Sequence, residues 1–215
     1  MTNSRFRTET SAPSASLGRT GAATAQTRNS NGLDQFFNSL EGRDTLSILD
    51  FAGASQANVS FITNLGHRIY SEDVLSSIDE VFGSDPEAHS NPVRIEMFLN
   101  QVLNFPDGQF DGALVWDVLQ FLSPAAAQAT LDRLHGILRQ PSYVLAFFNA
   151  SEKITSIPSY HYRITDSKTL TLSQRGNRVP TQFFNNRSIE KLFQRYESIK
   201  FFLTRDNLRE VIVKR

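Results

Sequence analysis

Cysteine is absent from the 215 residues, which removes disulfides, thiolate metal sites and cysteine nucleophiles together. Long apolar runs are missing too: no segment approaches the roughly 18 uninterrupted apolar residues of a membrane span, and no secretory core follows the start. A cytoplasmic protein is the expectation. Neither sign of charge is in excess, since Lys plus Arg and Asp plus Glu each number 22 for a formal net charge of +0. No global field therefore draws in nucleic acid or an anionic membrane, and neither is expected as a partner. The basic residues gathered between Arg175 and Arg215 form either a local patch or, on the plainer account, solvated charges on a helix and a hairpin. His67, His89 and His135 lack the spacing of a metal cluster, so no metal is expected.

What is present is enough for one core. Hydrophobic residues make up 40% of the chain, and its length fits a single domain. Residues 1–31 are rich in Ser, Thr, Ala and Arg, with Glu9 as the single acid. Such a composition buries too little surface to offset its ordering entropy, so a disordered N-terminal tail is expected ahead of one domain over 32–215. An organelle transit peptide shares that composition.

Apolar periodicity then alternates between strand and helix. Leu33, Phe36, Phe37 and Leu40 fall at helical spacing. Ser47 to Asp50 reads as a buried parallel strand, Ala57 to Leu65 as a crossover helix closed by Gly66, and His67 to Ser71 as a second strand. Asp73 to Phe82 follows as a helix, Val93 to Leu99 as a third strand with Glu96 awkwardly inside it, and Phe110 to Trp116 as a fourth. Ser123-Pro124 marks a helix start, and Ser142 to Phe148 a fifth strand. Beyond it the character changes: residues 160–174 alternate with period two around Asp166-Ser167-Lys168, which predicts a β-hairpin inserted over about 158–176. A helix over Asn186 to Tyr196 and a closing hairpin, Ser198 to Thr204 and Leu208 to Lys214, complete the chain.

The turn after the first strand carries the chemistry. Open α/β sheets bind ligands beyond the carboxyl ends of their strands, and Ala52-Gly53-Ala54-Ser55 has little side-chain bulk to keep a ligand from the backbone. A dinucleotide needs glycines in G-x-G-x-x-G spacing, so that bare amides meet its pyrophosphate. This turn has one glycine and opens with the carboxylate of Asp50, which repels phosphate. It suits S-adenosyl-L-methionine, which has no phosphate and carries a sulfonium and an ammonium. Asp73 lies 23 positions downstream of Asp50, close to the distance of about 20 at which a second acid reaches ribose hydroxyls.

The run LDFAGASQANVSF, Leu49 to Phe61, together with FPDGQFDGALVWDVLQFL, Phe105 to Leu122, and LDRLHGILRQPSYVLAFF, Leu131 to Phe148, resembles the class I S-adenosylmethionine-dependent methyltransferases, particularly their bacterial methyltransferase type 11-like branch. The glycine motif is degenerate, with Ala52 and Gln56 where the family has glycines; Asn100 stands near the place of the usual third-strand acid. The resemblance implies a Rossmann-like doubly wound sheet of seven strands, order 3-2-1-4-5-7-6, with an antiparallel last strand. It also implies methyl transfer to a small-molecule acceptor that the sequence leaves unidentified. Cofactor candidates on that basis are Asp50, Ala52, Gly53, Ser55 and Gln56 in the turn, Glu72 or Asp73 at the ribose, Asn100 at the adenine, and Trp116, which either stacks on the ligand or is core. Gln56 either binds the methionine end or fills its place. Methyl transfer needs positioning more than a catalytic signature; Asp117 and His161 are the candidates for a base or acceptor contact, against helix-entry bonding and an idle surface histidine. The rival is a methyltransferase-like protein without turnover that serves as a binding or regulatory module. A nicotinamide-dependent oxidoreductase of the same sheet class lacks its glycine fingerprint here. Oligomeric state is not legible.

Overall fold

The computed structural model describes residues 25–85, 87–151, 155–204 and 207–215; the expected tail over 1–24 and part of the turn at 205–207 lie outside them. Strands β2 (Ser47–Asp50), β3 (Arg68–Ser71), β4 (Phe110–Trp116) and β5 (Leu138–Asn149) join in parallel in the order β3-β2-β4-β5. The hairpin of β8 (Ser198–Leu203) and β9 (Leu208–Lys214) adds two strands, β9 antiparallel to β5 and β8 at the edge. Central β4 is buried at all seven positions, as a parallel strand covered on both faces requires.

The expected seventh strand is a correction. Pro92–Val102 is a helix, α4, so the sheet has six strands and β3 is its edge. The helical signal is there in retrospect: Asn91 caps it, its Oδ1 accepting from the N–H of Val93 at 2.9 Å, Pro92 sits in the first turn, and Ile95, Phe98 and Val102 line its buried face. With alternate apolar residues Val93, Ile95 and Met97, a strand competes on local grounds; the cap decides.

The inserted hairpin is longer than expected, β6 (Ile157–Asp166) against β7 (Thr169–Arg178). It gains a third strand from the region assigned to the tail: β1 (Gln26–Asn29) pairs antiparallel with β7. This separate three-stranded sheet, β1-β7-β6, caps the carboxyl edge of the main sheet.

From β1 the chain enters α1 (Asn31–Asn38) through a Ser30 cap, whose hydroxyl accepts from the N–H of Leu33 at 3.0 Å. The buried side of α1 crosses the main sheet over Gly112, where a Cβ would stand 2.8 Å from Phe36 Cζ. Beneath its first turn lies Glu210 of β9, fully buried. That carboxylate accepts from the Gly32 N–H at 2.6 Å and the Ser30 hydroxyl at 3.1 Å, and it pairs with Arg28 of β1 at 3.2 Å. A helix N-terminus and a guanidinium together offset the desolvation of a buried charge.

Candidate functional site

The carboxyl ends of β2, β3 and β4 bring Asp50, Ala52, Gly53, Glu72, Asp73, Trp116 and Asp117 to one edge, as the strand pattern anticipates. The geometry there is closed. Backbone pairing continues past the ends of β2 and β3: Ala52 bridges Asp73, and the Gly53 N–H donates to the Glu72 carbonyl at 3.1 Å. Gly53 takes φ +80° in this turn, and a Cβ on it would meet Asp73 Cβ at 3.2 Å. The two turns are therefore in contact where a ribose would enter.

Asp50 is fully buried. Its carboxylate accepts from Trp116 Nε1 at 2.7 Å, the Ala52 N–H at 3.0 Å and Asn58 Nδ2 at 2.8 Å. Burial raises its pKa, with the three hydrogen bonds opposing. Trp116 ends β4 at φ +55°, a conformation that costs an L-residue on the order of 1–2 kcal/mol and persists only where its surroundings hold it. They do: the indole is clamped between Asp50 and the ring of Tyr162, stacked at 4.8 Å with 4° between planes.

Asn58 locks the cap onto this arrangement. It is fully buried in α2 (Gln56–Asn64), donates to the Tyr162 carbonyl at 3.0 Å and accepts from the Ile164 N–H at 2.8 Å. One side chain thus joins the strand-end acid to the backbone of β6. Asp73 is engaged as well: it caps α3 (Val74–Phe82) through Ser76 and meets the Arg175 guanidinium of β7 in two parallel bonds of 2.8 and 2.9 Å. Burial pushes the Asp73 carboxyl up, but its bonds to Arg175 and Ser76 outweigh that and leave its pKa lowered. Beside it, Arg178 pairs with Asp79.

In the place the resemblance gives S-adenosyl-L-methionine, the chain's own side chains take up the acids. The Trp116 indole and the Asn58 carboxamide bond the oxygens of Asp50, with the Tyr162 ring stacked behind the indole, and Arg175 bonds both oxygens of Asp73. Gln56 plugs nothing; it lies exposed and bonds Ser60 at 2.9 Å. Ser55 precedes α2 without a capping bond. Glu72 is half-buried, its pKa raised by burial. Asn100 is exposed on α4 rather than at a strand end.

Beyond Tyr162 the packing loosens. A cavity of about 150 Å³ opens between the cap and the main sheet, lined by Arg28, Asp117, Gln120, Asn149, Tyr160 and Tyr162 among others, and by none of Asp50, Gly53, Gln56 or Asp73. Asp117, at 3% exposure, takes a hydrogen bond from the Tyr162 hydroxyl, yet burial pushes its pKa up to about 7. Among the described residues its Oδ1 has no hydrogen-bond partner. The same pairing and burial raise the Tyr162 hydroxyl well above its ordinary value. His161 does not join this group: strand alternation exposes it on the opposite side of β6 from Tyr162, where burial and the positive charge of Arg175 lower its pKa. Among the described residues, no group of three or more His, Asp or Glu is placed to hold a metal, and no helix is long and apolar enough to cross a membrane.

Asn58, Tyr162, Arg175 and Gln120 are the site residues that sequence reasoning missed. Only Tyr162 carried a signal, as an apolar-phase residue of an alternating hairpin.

No family model and no curated protein matches the sequence. Among solved structures, the chain is similar to a Burkholderia thailandensis 1,6-didemethyltoxoflavin-N1-methyltransferase, solved with bound 1,6-didemethyltoxoflavin and S-adenosylhomocysteine, at 13% identity and TM-score 0.47 over 86% of this chain and 76% of that one. It is also similar to SAM-dependent methyltransferases from Methanosarcina mazei, at 12% identity and TM-score 0.48 over 83% and 96% of the two chains, and from Aquifex aeolicus, at 12% and 0.47 over 85% and 88%. At such identity and superposition the likeness brings neither a ligand nor a residue's role to this chain.

Proposed function

We propose that this chain is a methyltransferase-like binding protein without methyl-transfer activity, working as one domain in the cytoplasm, with a small molecule rather than nucleic acid or membrane as its partner. One observation carries the proposal: the Trp116 indole donates to Asp50 from inside the space where a donor's methionine end would lie. The contact is held from behind by the Tyr162 stack and from the side by Asn58. Admitting S-adenosyl-L-methionine would require breaking a buried polar network, and leaving buried groups unpaired costs about 1–3 kcal/mol each. Methyl transfer to a small acceptor, the activity the resemblance implies, needs donor and acceptor held at attack distance, and the closed edge offers no such place.

Isothermal titration with S-adenosyl-L-methionine and with S-adenosylhomocysteine tests this. No binding is expected at millimolar ligand. Micromolar affinity for either would overturn the proposal and restore the enzyme.

A further inference from the structure

We infer that the cavity between the cap and the main sheet is a binding site for a small planar lactam, a ring presenting an amide N–H beside its carbonyl, which places the N–H on Asp117 Oδ1 and the carbonyl on Gln120. The inference rests on the binding-protein reading and gives its ligand a chemistry.

Three features point there. A buried carboxylate oxygen without a partner is rare in folded proteins and calls for an explanation; Asp117 Oδ1 is such an atom, and its residue lines the cavity. Gln120, at 4% exposure, uses its Oε1 to accept from the Asn149 N–H at 3.0 Å, which leaves its amide N–H2 as a donor at the same wall. The rest of the lining is mixed: Tyr160, Tyr162, Leu172 and Leu208 supply aromatic and apolar surface, beside polar Gln26 and Asn207. Acceptor, donor and aromatic walls together match a planar ring whose edge carries a donor next to an acceptor.

Size and charge narrow the class. A cavity of about 150 Å³ holds a single ring, since an apolar cavity of roughly that volume takes up benzene. Arg28, Arg175 and Arg178 are each paired with an acid, Glu210, Asp73 and Asp79, so their charge is already met and does not call for an anion. An anion is disfavoured by Asp117 itself. A neutral amide gives Asp117 Oδ1 a donor and the Gln120 amide an acceptor without adding charge.

The experiment uses the full chain and two probes, 2-pyridone and N-methyl-2-pyridone. They share ring and carbonyl and differ in the N–H. Saturation-transfer NMR and isothermal titration should show 2-pyridone binding at least tenfold tighter than its N-methyl form. Asp117→Leu, checked for folding by circular dichroism, should remove that preference. Gln120→Leu should weaken 2-pyridone at least fivefold. Equal binding of the two probes, no binding of either, or a crystal soaked with 2-pyridone in which only water meets Asp117 Oδ1 would each overturn the inference. S-adenosyl-L-methionine binding before Asp50 would sink the proposed function while leaving this probe preference to be read separately.

Discussion

Asp117 makes a quantitative demand on stability. Its carboxyl titrates at an ordinary 3.8 when unfolded and at about 7 in the folded chain, with burial the main cause. Between those two values the folded state binds more protons than the unfolded one, so this residue's contribution falls as pH rises through the window and is flat above about 7. A displacement of roughly three units corresponds to about 4 kcal/mol, at about 1.4 kcal/mol per unit. Asp117 is 3% exposed, so solvent screening reduces this little. Replacing it with Asn keeps the shape and an oxygen for the Tyr162 hydroxyl but removes the titration. The expected result is a variant whose unfolding free energy, relative to wild type, climbs by about 3–5 kcal/mol between pH 4 and pH 8. Urea unfolding of both proteins at half-unit pH intervals measures the difference directly. Asp50, Glu72 and Asp73 also titrate with perturbed values, but they are common to both proteins and cancel to first order. A pH-independent difference would refute the reasoning, because it would mean that Asp117 is ionised in the fold at no unusual cost.

Asn58→Ala removes three buried hydrogen bonds at once and should lower stability by about 2–4 kcal/mol in chemical denaturation. The Ile164 amide should lose hydrogen-exchange protection; a loss under about 1 kcal/mol would show that the cap is held by other contacts. Arg175→Ala should lower it by only about 1 kcal/mol, because Arg175 and Asp73 are 19% and 38% exposed and solvent screens the pair. Since the Asp73 pKa is lowered in the fold, that difference should be present at neutral pH and vanish as pH falls through the folded value, and a difference unchanged in acid would contradict the ion pair.

Much of the scaffold was legible because its signals are local. The apolar run into Asp50, the Ser123-Pro124 helix start and the alternation over residues 160–174 each specify an element within a short stretch of chain. The third strand failed because Val93, Ile95 and Met97 satisfy strand alternation while Ile95, Phe98 and Val102 satisfy a helix, and only the Asn91-Pro92 start separates the two. Strand β1 failed for the opposite reason. Gln26–Asn29 has no apolar residue at all; the edge of β7 makes it a strand. The site was half legible. Sequence placed Asp50 and Asp73 at their strand ends, but what those acids do is decided by Trp116, Tyr162 and Arg175, which are 66, 112 and 102 positions away from them in the chain. Nothing local says that an inserted hairpin will lie back across the turn and take the bonds a ligand would have taken.

The chain passes between cap and body three times, from β1 into α1, from β5 into β6, and from β7 toward α6 (Asn186–Leu192). A flap on a single hinge swings open by changing a few backbone angles; a canopy tethered at three posts does not. The cavity beneath it is open along part of its rim, so a guest can come and go while the canopy stays in place.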